Sequence, residues 1–479
     1  MLRLHPGTLN ELNSGVAVPD YDRQSLRPGI VHLGLGAFHR AHQAVYTEQA
    51  LASSGGDWGI IGVSLRSESV SQKLLPQDGL YSVMSEDASG HVMQVIGAIQ
   101  QVLVAPRELE RVIAAIVDQR IQLVTLTITE KGYCLAEDGR SLNVDDKAVE
   151  ADLGNPLAPV SAVGVLSLGL KERVAAGGAP LSLLSCDNLS QNSNLLKTVL
   201  VDYLERSFPE VIAWLEQSAS FPCSMVDRIV PAMTAEQAAR QASLLGLIDE
   251  GAVVTEPFKQ WIIEDSFAAG RPDWESAGAQ MVSDILPYEK IKLGLLNASH
   301  SAIAYCGLVA GLERVDQVMA DSALRAYVER LMANDLMPRL DVPDGFDLPT
   351  YRDQLLERFG NPCLAHRCQQ IAMDGSEKIS QRWLPILQGT KDYSSLKIAL
   401  AAWCYYLLHT RFEINDPRSR QLQAWRNSNA EEILRVQGVL ACARITPDSV
   451  AGYDDLCAQL LEHLRLLSER DIRSLIACA

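Results

Sequence analysis

Four polar side chains stand close together in the segment YEKIKLGLLNASHS, which spans residues 288–301: Glu289, Lys292, Asn297 and His300. The apolar spacing predicts a helix, and at about 100° per residue all four side chains fall on one side of it. Asn297 lies about 140° from Lys292, the widest separation in the set. Two leucines share the same arc, so this face is half apolar and suits the wall of a ligand pocket.

A carboxylate, an amine, an amide and an imidazole on such a wall suit the reversible oxidation of an alcohol. A partly desolvated amine at Lys292 can accept the hydroxyl proton. Asn297, together with a second amide, can stabilise the oxyanion that develops, and His300 can orient the substrate or share the proton. The alternative is structural: a helix end with a surface lysine and one hydrogen-bonded core histidine.

A turn with two glycines follows the first predicted strand, in the stretch GIVHLGLGAFHRAHQ (residues 29–43). Gly34 can form the tight turn, and Gly36 can let a pyrophosphate approach the backbone at the N-terminus of the next helix. The third glycine of a dinucleotide-binding fingerprint is replaced by His39. Two glycines alone are equally compatible with an ordinary strand, turn and helix.

A carboxylate follows the second predicted strand. Glu68 comes after GIIGVS (59–64), where a ribose 2′-hydroxyl would be held and a 2′-phosphate repelled. Its distance from the glycines exceeds the usual spacing of about 20 residues, which a longer first crossover would explain. The nearby Arg66 leaves the use of NADP open, and the alternative is a solvated surface glutamate.

The order of predicted elements indicates how these residues are positioned. Predicted strands alternate with helical stretches such as 108–117, and they lie at 30–34, 59–64, 95–99, 122–128 and 181–186. This alternation predicts an α/β fold with an N-terminal Rossmann-like, doubly wound domain, residues 1–287, whose ligand lies beyond the carboxyl ends of the strands. A mainly α-helical domain, residues 288–479, is predicted from helices at 289–310, 322–335, 351–358, 395–409, 430–441 and 453–476.

Composition limits the class of ligand. The 479 residues include 42 basic and 59 acidic side chains, a net charge of −17, which argues against nucleic acid or an anionic membrane but allows an anionic small molecule in a local basic pocket. Ten scattered cysteines indicate reduced thiols, and their spacing does not complete a zinc site, so no metal is expected. Without a signal-peptide pattern or a membrane-length apolar run, we expect a cytoplasmic protein.

Six segments, in order along the chain, resemble the polyol-specific long-chain dehydrogenases: GLGAFHRAHQ, TITEKGYC (127–134), SCDN (185–188), FPCSMVDRIVP (221–231), EPFKQWIIEDSF (256–267) and KLGLLNASHS (292–301). The resemblance extends from about residue 18 to residue 420. It implies an NAD-dependent, metal-independent oxidoreductase, with an NAD-binding first domain and a substrate-binding second domain. It also implies a monomer or weak oligomer.

The resemblance implies catalytic roles. Lys292 would be the general base or acid, and His300 would assist it. Asn188 and Asn297 would form the oxyanion hole, and Glu289 would lie on the proton route to solvent.

The resemblance also makes His39 a family variant of the glycine fingerprint. Mannitol enzymes can carry two acidic residues after the second strand, whereas here Glu68 is followed by Ser69. The residues that would bind the cofactor are Gly34, Gly36, Phe38, His39, Arg40, Glu68, Thr129 and Glu130.

Substrate choice depends on residues 361–383, while Asp227 would contact substrate hydroxyls. Mannitol enzymes can present an arginine aligned with Gln370, which this chain lacks. Four potential cations in the segment resemble the pattern of fructuronate reductase: His366, Arg367, Lys378 and Arg382. A buried carboxylate needs a cationic partner, and the fork of an arginine suits it. The alternative is that the two arginines tie helices together.

Three hypotheses follow. The first is interconversion of D-fructuronate and D-mannonate, and the second is interconversion of D-fructose and D-mannitol, which the SLRSE and GLLNASH segments favour. The third is an NAD-binding sensor without catalysis, although a sensor has no need of the proton acceptor Lys292. A zinc-dependent alcohol dehydrogenase is disfavoured because the sequence lacks ligand clusters.

Overall fold

The computed structural model describes residues 1–389 and 392–478. The chain divides into two compact units, Met1–Leu286 and Pro287–Ala479. The first is built around a parallel sheet and the second is mainly helical, so the predicted fold class is confirmed. Within the two described ranges, no helix combines the length and the apolar character needed to cross a membrane.

The first unit contains twelve strands. They are β1 (Pro28–Leu33), β2 (Gly59–Ser64), β3 (Tyr81–Asp87), β4 (Gly90–Ile96), β5 (Ile99–Val104), β6 (Leu123–Leu126), β7 (Leu181–Ser185), β8 (Ala219–Ser220), β9 (Ser224–Asp227), β10 (Val253–Thr255), β11 (Gln260–Glu264) and β12 (Gln280–Val282).

Six of these strands form the central sheet, in the order β5-β2-β1-β6-β7-β8, and every neighbouring pair is parallel. Numbered within this sheet alone, the order is 3-2-1-4-5-6, that of the Rossmann fold, in which the strand order reverses between β1 and β6. The other strands form two three-stranded sheets, β10-β3-β4 and β12-β11-β9.

The central strands are buried because the sheet has an apolar core on each face. Along β1, Val31 and Leu33 join one core cluster and Ile30 joins the other. Successive side chains point to opposite faces of a strand, so a strand covered on both sides is apolar throughout. This explains why short continuous apolar runs revealed most of the sheet.

Helices cover the sheet and build the second unit. In the first unit the α-helices are Ala37–Ala41, Gln43–Ser54, Ser69–Leu74, Ala105–Val117, Lys147–Gly154, Ala162–Ala175, Asn192–Ser207, Ile212–Ser218 and Ala235–Leu245. In the second they are Leu286–Ile291, Ala298–Val309, Val315–Ala320, Ser322–Arg330, Leu348–Phe359, Cys368–Ile371, Gly375–Arg382, Leu384–Gly389, Ser394–His409, Ser419–Arg426, Glu432–Cys442, Tyr453–Glu469 and Ile472–Cys478. Two π-helical segments, Lys292–Asn297 and Leu331–Leu336, interrupt this series.

The strand predicted at 95–99 is wrong. These residues belong to the end of β4, a break at Gly97 and Ala98, and the start of β5. The backbone N–H groups at the break donate to the Glu48 carboxylate, at 2.7 and 2.8 Å. The carboxylate therefore separates two strands that belong to different sheets, a division that one apolar run does not reveal.

Glu48 is buried, with 6% of its surface exposed. The oxygen that accepts the two backbone bonds also accepts the Tyr21 hydroxyl at 2.9 Å. Burial raises the pKa of Glu48 from 4.5 to about 7, although these hydrogen bonds act in the opposite direction. The folded protein therefore binds the proton of the Glu48 carboxyl more tightly than the unfolded chain does. The stability that this protonation contributes is fully present below pH 4.5 and is lost as the pH rises through about 7.

We expect Glu48→Gln to flatten the pH dependence of stability, because the amide oxygen can accept the same bonds without titrating. Between pH 5 and pH 8 the wild-type free energy of unfolding should fall by about 2.5 kcal/mol relative to that of the variant. Chemical denaturation at several pH values measures this difference. The exposed Glu110→Gln controls for loss of charge, and parallel wild-type and Glu48→Gln profiles would contradict the prediction.

Candidate active site

The two glycines after β1 have different roles. Gly34 has φ +100°, and a Cβ there would lie 2.1 Å from the backbone oxygen of Thr127. Gly36 caps the helix that begins at Ala37, and a Cβ there would meet only the Gly34 oxygen, at 3.7 Å. Gly34 is thus required by the backbone, whereas Gly36 leaves open space at a helix N-terminus, as a phosphate site requires.

His39 lies beneath this turn. It is 1% exposed and stacks on His32, with ring centroids 3.4 Å apart. The His32 ring nitrogens lie 2.8 Å from the Thr125 hydroxyl and 2.9 Å from the Thr127 hydroxyl. Burial holds the pKa of His39 well below 6.5. The histidine in place of the third glycine therefore supports the turn from within the core.

The neighbours of His39 also pack inward. Arg40 is buried, and its guanidinium donates to the backbone oxygens of Gly251 and Gly36. Phe38 is half-buried and stacks on His42 at 5.1 Å. Of the residues predicted to bind the cofactor in this turn, Gly36 leaves open space, Gly34 packs closely on the Thr127 backbone, and the three residues that follow the glycines pack inward and support the turn.

The carboxyl end of β6 lies beside that of β1. Thr129 is exposed there and has φ +62°, a conformation that residues other than glycine rarely adopt. Glu130 is exposed and begins the short helix Glu130–Tyr133. Both residues therefore lie where the sheet order reverses, the position at which ligands bind in open α/β sheets.

Asp187, which sequence reasoning missed, holds this loop. Its carboxylate accepts the backbone N–H of Ile128 at 3.0 Å, that of Thr129 at 2.8 Å and the Tyr133 hydroxyl at 2.8 Å. Burial raises its pKa against the effect of these bonds. The SCDN segment contained the signal, since it places a carboxylate beside the predicted Asn188.

Glu68 follows β2, as predicted, and forms an ion pair with Arg107. Arg107 lies on the helix after β5, the strand adjacent to β2. The carboxylate predicted to hold a ribose is thus charge-paired, and Arg66 nearby is exposed.

Two further predicted residues of the first unit lie at strand ends. Asn188 is exposed and comes just after β7. Asp227 ends β9 and is buried. Next to it, the buried Arg228 guanidinium donates to the backbone oxygen of Glu256 at 2.9 Å, and burial lowers its pKa to about 10.

The predicted helix of the second unit is not α-helical throughout. Lys292–Asn297 is one π-helical segment, in which hydrogen bonds join residues five apart. Lys292 and Asn297 therefore lie one turn apart on the same face, and the predicted separation of about 140° is wrong. Lys292 is 9% exposed, and Asn297 and Glu289 are half-buried. A π turn thus places Lys292 and Asn297 on one face of the helix.

The rings of His300, Phe359 and His366 form a cluster beyond this turn. His300 stacks on Phe359 at 5.3 Å and meets His366 edge-on at 4.9 Å. Burial, followed by the charges of His366, Arg382, Arg358 and Lys378, holds the pKa of His300 well below 6.5. His300 is therefore a neutral imidazole surrounded by cations.

Two ring nitrogens of this cluster and one nitrogen of Arg382 are buried without a hydrogen-bond partner in the described part of the chain: His300 Nε2, His366 Nδ1 and Arg382 Nε. Arg382 also donates to the backbone oxygen of Asn297 at 3.1 Å and to the Ser301 hydroxyl at 2.7 Å. Burial lowers its pKa to about 10. Arg382 does tie two helices together, as the alternative proposed, yet one of its donors has no protein partner among residues 1–389 and 392–478. Unpaired polar atoms beside cations favour a polar or anionic ligand.

The other predicted cations have different positions. Lys378 donates to the Ile371 oxygen at 3.1 Å and contributes to the electrostatics of His300. Arg367 is exposed and lines a cavity of about 380 Å³ together with Gln370 and Trp403. Arg358, which sequence reasoning missed, is buried in the last turn of Leu348–Phe359. Arg358 thus contributes to the electrostatics of His300, whereas Arg367 lines the cavity.

Both units match domains of known proteins. Residues 28–276 match the mannitol dehydrogenase Rossmann domain, and residues 284–466 match the mannitol dehydrogenase C-terminal domain. The chain is 37% identical to the D-mannonate oxidoreductase of Escherichia coli (strain K12), over 98% of this chain and 99% of that protein. It is 35% identical to a mannitol 2-dehydrogenase of Phaeosphaeria nodorum, over 99% of this chain and 85% of that protein.

A solved structure agrees with these matches. The ternary complex of Pseudomonas fluorescens mannitol 2-dehydrogenase with NAD and D-mannitol superposes with a TM-score of 0.85, at 32% identity, and covers 99% of each chain.

The two glycines of the turn should respond differently to the same substitution. Gly34→Ala should lower the free energy of unfolding by about 2 kcal/mol or more, because the new Cβ meets backbone in a left-handed conformation. Gly36→Ala should change it by less than about 0.5 kcal/mol, because its Cβ meets open space. Chemical denaturation of the two variants without cofactor measures both effects, and equal stabilities would contradict the assignment.

Proposed function

Since the chain belongs to the mannitol dehydrogenase family of oxidoreductases, we propose that it is an NAD-dependent, metal-independent enzyme that interconverts D-fructuronate and D-mannonate. The family establishes oxidoreductase chemistry, and its relatives include a D-mannonate oxidoreductase and mannitol 2-dehydrogenases. The cofactor, the substrate and the residue roles are proposals.

The observation that carries the substrate proposal is the set of cations near His300. Arg358, Lys378 and Arg382 all act electrostatically on this imidazole, in a chain whose net charge is −17. A uronate or aldonate differs from a polyol in its carboxylate, which gains most from buried cations. The 37% identity to D-mannonate oxidoreductase supports the same substrate class.

The glycine turn supports NAD as the cofactor. We propose that the pyrophosphate lies against the backbone of Gly34 and Gly36. A side chain at Gly34 would collide with the Thr127 backbone, and the space beside Gly36 is open. Thr129 and Glu130 would line the same edge, and Glu68 would hold the ribose. When bound, NAD supplies or accepts the hydride. The ion pair of Glu68 with Arg107 keeps NADP as a second candidate.

In the proposed mechanism Lys292 moves the proton. Because His300 is held neutral, it would hydrogen-bond the reacting hydroxyl, and the proton itself would pass to the amine. The Asn297 amide stands on the same face of the π turn as Lys292 and would stabilise the oxyanion.

Three more residues complete the proposal. Asn188 would supply the second amide of the oxyanion hole, Asp227 would bind substrate hydroxyls, and Glu289 would relay the proton to solvent. We also propose a cytoplasmic location, which the free cysteines among the described residues support. A monomer or weak oligomer stays a prediction.

The second candidate is interconversion of D-fructose and D-mannitol. The similarity to a mannitol 2-dehydrogenase in complex with NAD and D-mannitol favours it. Gln370 speaks against it, because it stands where mannitol enzymes can have an arginine. A sensor without catalysis is disfavoured by a buried lysine and a neighbouring amide on one helix face.

A substrate panel tests the proposal directly. Protein treated with a chelator should oxidise NADH with D-fructuronate faster than with D-fructose. Faster turnover of fructose would favour the second candidate, and loss of activity on chelation would refute the metal-independent mechanism.

Lys292→Ala should lower kcat by about 10³-fold, because it removes the proposed proton acceptor. NADH binding, followed by fluorescence, should be unchanged. Lys290→Ala removes an exposed lysine two positions earlier and should retain activity. Near-normal turnover in Lys292→Ala would remove the assigned role.

Lys378→Met should discriminate between the two substrate classes. Loss of one cation near the carboxylate should lower kcat/KM for D-fructuronate by about 100-fold and that for D-fructose by less than about tenfold. Lys397→Met is the control, since this lysine binds Gln459 at 2.7 Å elsewhere in the unit. Equal losses for both substrates would favour a structural role for Lys378.

A further inference from the structure

We infer that Asp187 is a positioning residue, which holds the loop 127–133 in the conformation that the cofactor site needs. The inference rests on the proposed NAD-dependent function, and it assigns the carboxylate no part in the chemical step.

The carboxylate fixes three points of the loop at once. One oxygen accepts the Thr129 N–H at 2.8 Å, and the other accepts the Ile128 N–H at 3.0 Å and the Tyr133 hydroxyl at 2.8 Å. Tyr133 is itself fixed, since its hydroxyl also lies 2.5 Å from that of Ser185. Asp187 is only 8% exposed, so water does not readily replace these bonds.

The loop needs such a constraint because Thr129 is strained. Its φ of +62° is unfavourable for a β-branched residue and persists only where the surroundings enforce it. The loop also contacts the glycine turn, because the Thr127 hydroxyl donates to the Gly34 oxygen at 2.8 Å. Releasing Thr129 would therefore disturb the edge of the sheet where the cofactor is proposed to bind.

The backbone on the other side of Asp187 is held independently of its carboxylate. The Asn192 side-chain amide donates to the backbone oxygen of Asp187 at 3.0 Å and to the backbone oxygen of Ser224 at 2.8 Å. The residue that follows, Asn188, thus keeps its anchor when the carboxylate changes. Loss of the carboxylate should weaken cofactor binding more than it slows the chemical step.

Asp187→Asn tests this inference, because its single carbonyl oxygen cannot serve donors on both sides. NADH titration followed by fluorescence should show the Kd raised by about tenfold or more, whereas kcat at saturating NADH should fall by less than about threefold. In the protein without cofactor, residues 127–133 should exchange amide hydrogen faster.

Asp152→Asn is the matched control. The Asp152 carboxylate is 1% exposed and accepts two consecutive backbone N–H groups, those of Val160 at 2.7 Å and Ser161 at 3.0 Å. Both variants should lose stability, but only Asp187→Asn should change NADH affinity and exchange at 127–133. An unchanged NADH Kd in Asp187→Asn, or an equal rise in both variants, would overturn the inference.

Tyr133→Phe serves if Asp187→Asn does not fold. It removes one of the three bonds and should raise the NADH Kd by about threefold, and an unchanged Kd would again overturn the inference. The wild-type titration separates this result from failure of the proposed function. Wild-type protein that does not bind NADH would refute that function, while hydrogen exchange would still report whether Asp187 holds the loop.

Discussion

One turn of π-helix, Lys292–Asn297, positions the two candidate catalytic side chains at its ends. Hydrogen bonds between residues five apart bring Lys292 and Asn297 to one face, whereas an α-helix would leave the amide about 140° from the amine. The turn is held from two sides. Gly294 packs so closely on Leu340 that a Cβ would lie 2.7 Å from its side chain, and Arg382 binds the Asn297 oxygen. Arg382, one of the cations predicted to bind the substrate, therefore also fixes the π turn.

The electrostatics of the second unit divide the work among its groups. Burial and neighbouring cations keep His300 uncharged, which leaves it able to donate and accept hydrogen bonds. The same cations form a locally positive region in an acidic protein, a combination that suits a small anion and disfavours a polyanion. In the first unit the candidate site depends on shape. No side chain fits at Gly34, open space lies beside Gly36, and the stacked rings of His32 and His39 support the turn from below.

Much of the architecture could be predicted because two-sided burial makes parallel strands continuously apolar, as in GIIGVS. The strand β5 was not predicted with its correct bounds, because Gln100 and Gln101 interrupt its apolar pattern. The break at Gly97 that precedes it depends on the carboxylate of Glu48, which is distant in sequence. The π turn could not be foreseen, because α and π backbones share one conformational region and the choice depends on packing. Asp187 and Arg358 were missed for a related reason: the groups on which they act, Ile128 and Thr129 for the first and His300 for the second, are distant in sequence.

The stacked imidazoles under the glycine turn make the first unit sensitive to acid. Burial lowers the pKa values of His32 and His42 to about 3, and that of His39 lies well below 6.5. In the unfolded chain these imidazoles are protonated below about pH 6.5, whereas in the folded core they stay neutral until the pH approaches 3. The contribution of the neutral rings to stability is therefore complete above pH 6.5 and is lost as the pH falls toward 3. Acid denaturation of this unit would thus begin from the residues that support its glycine turn.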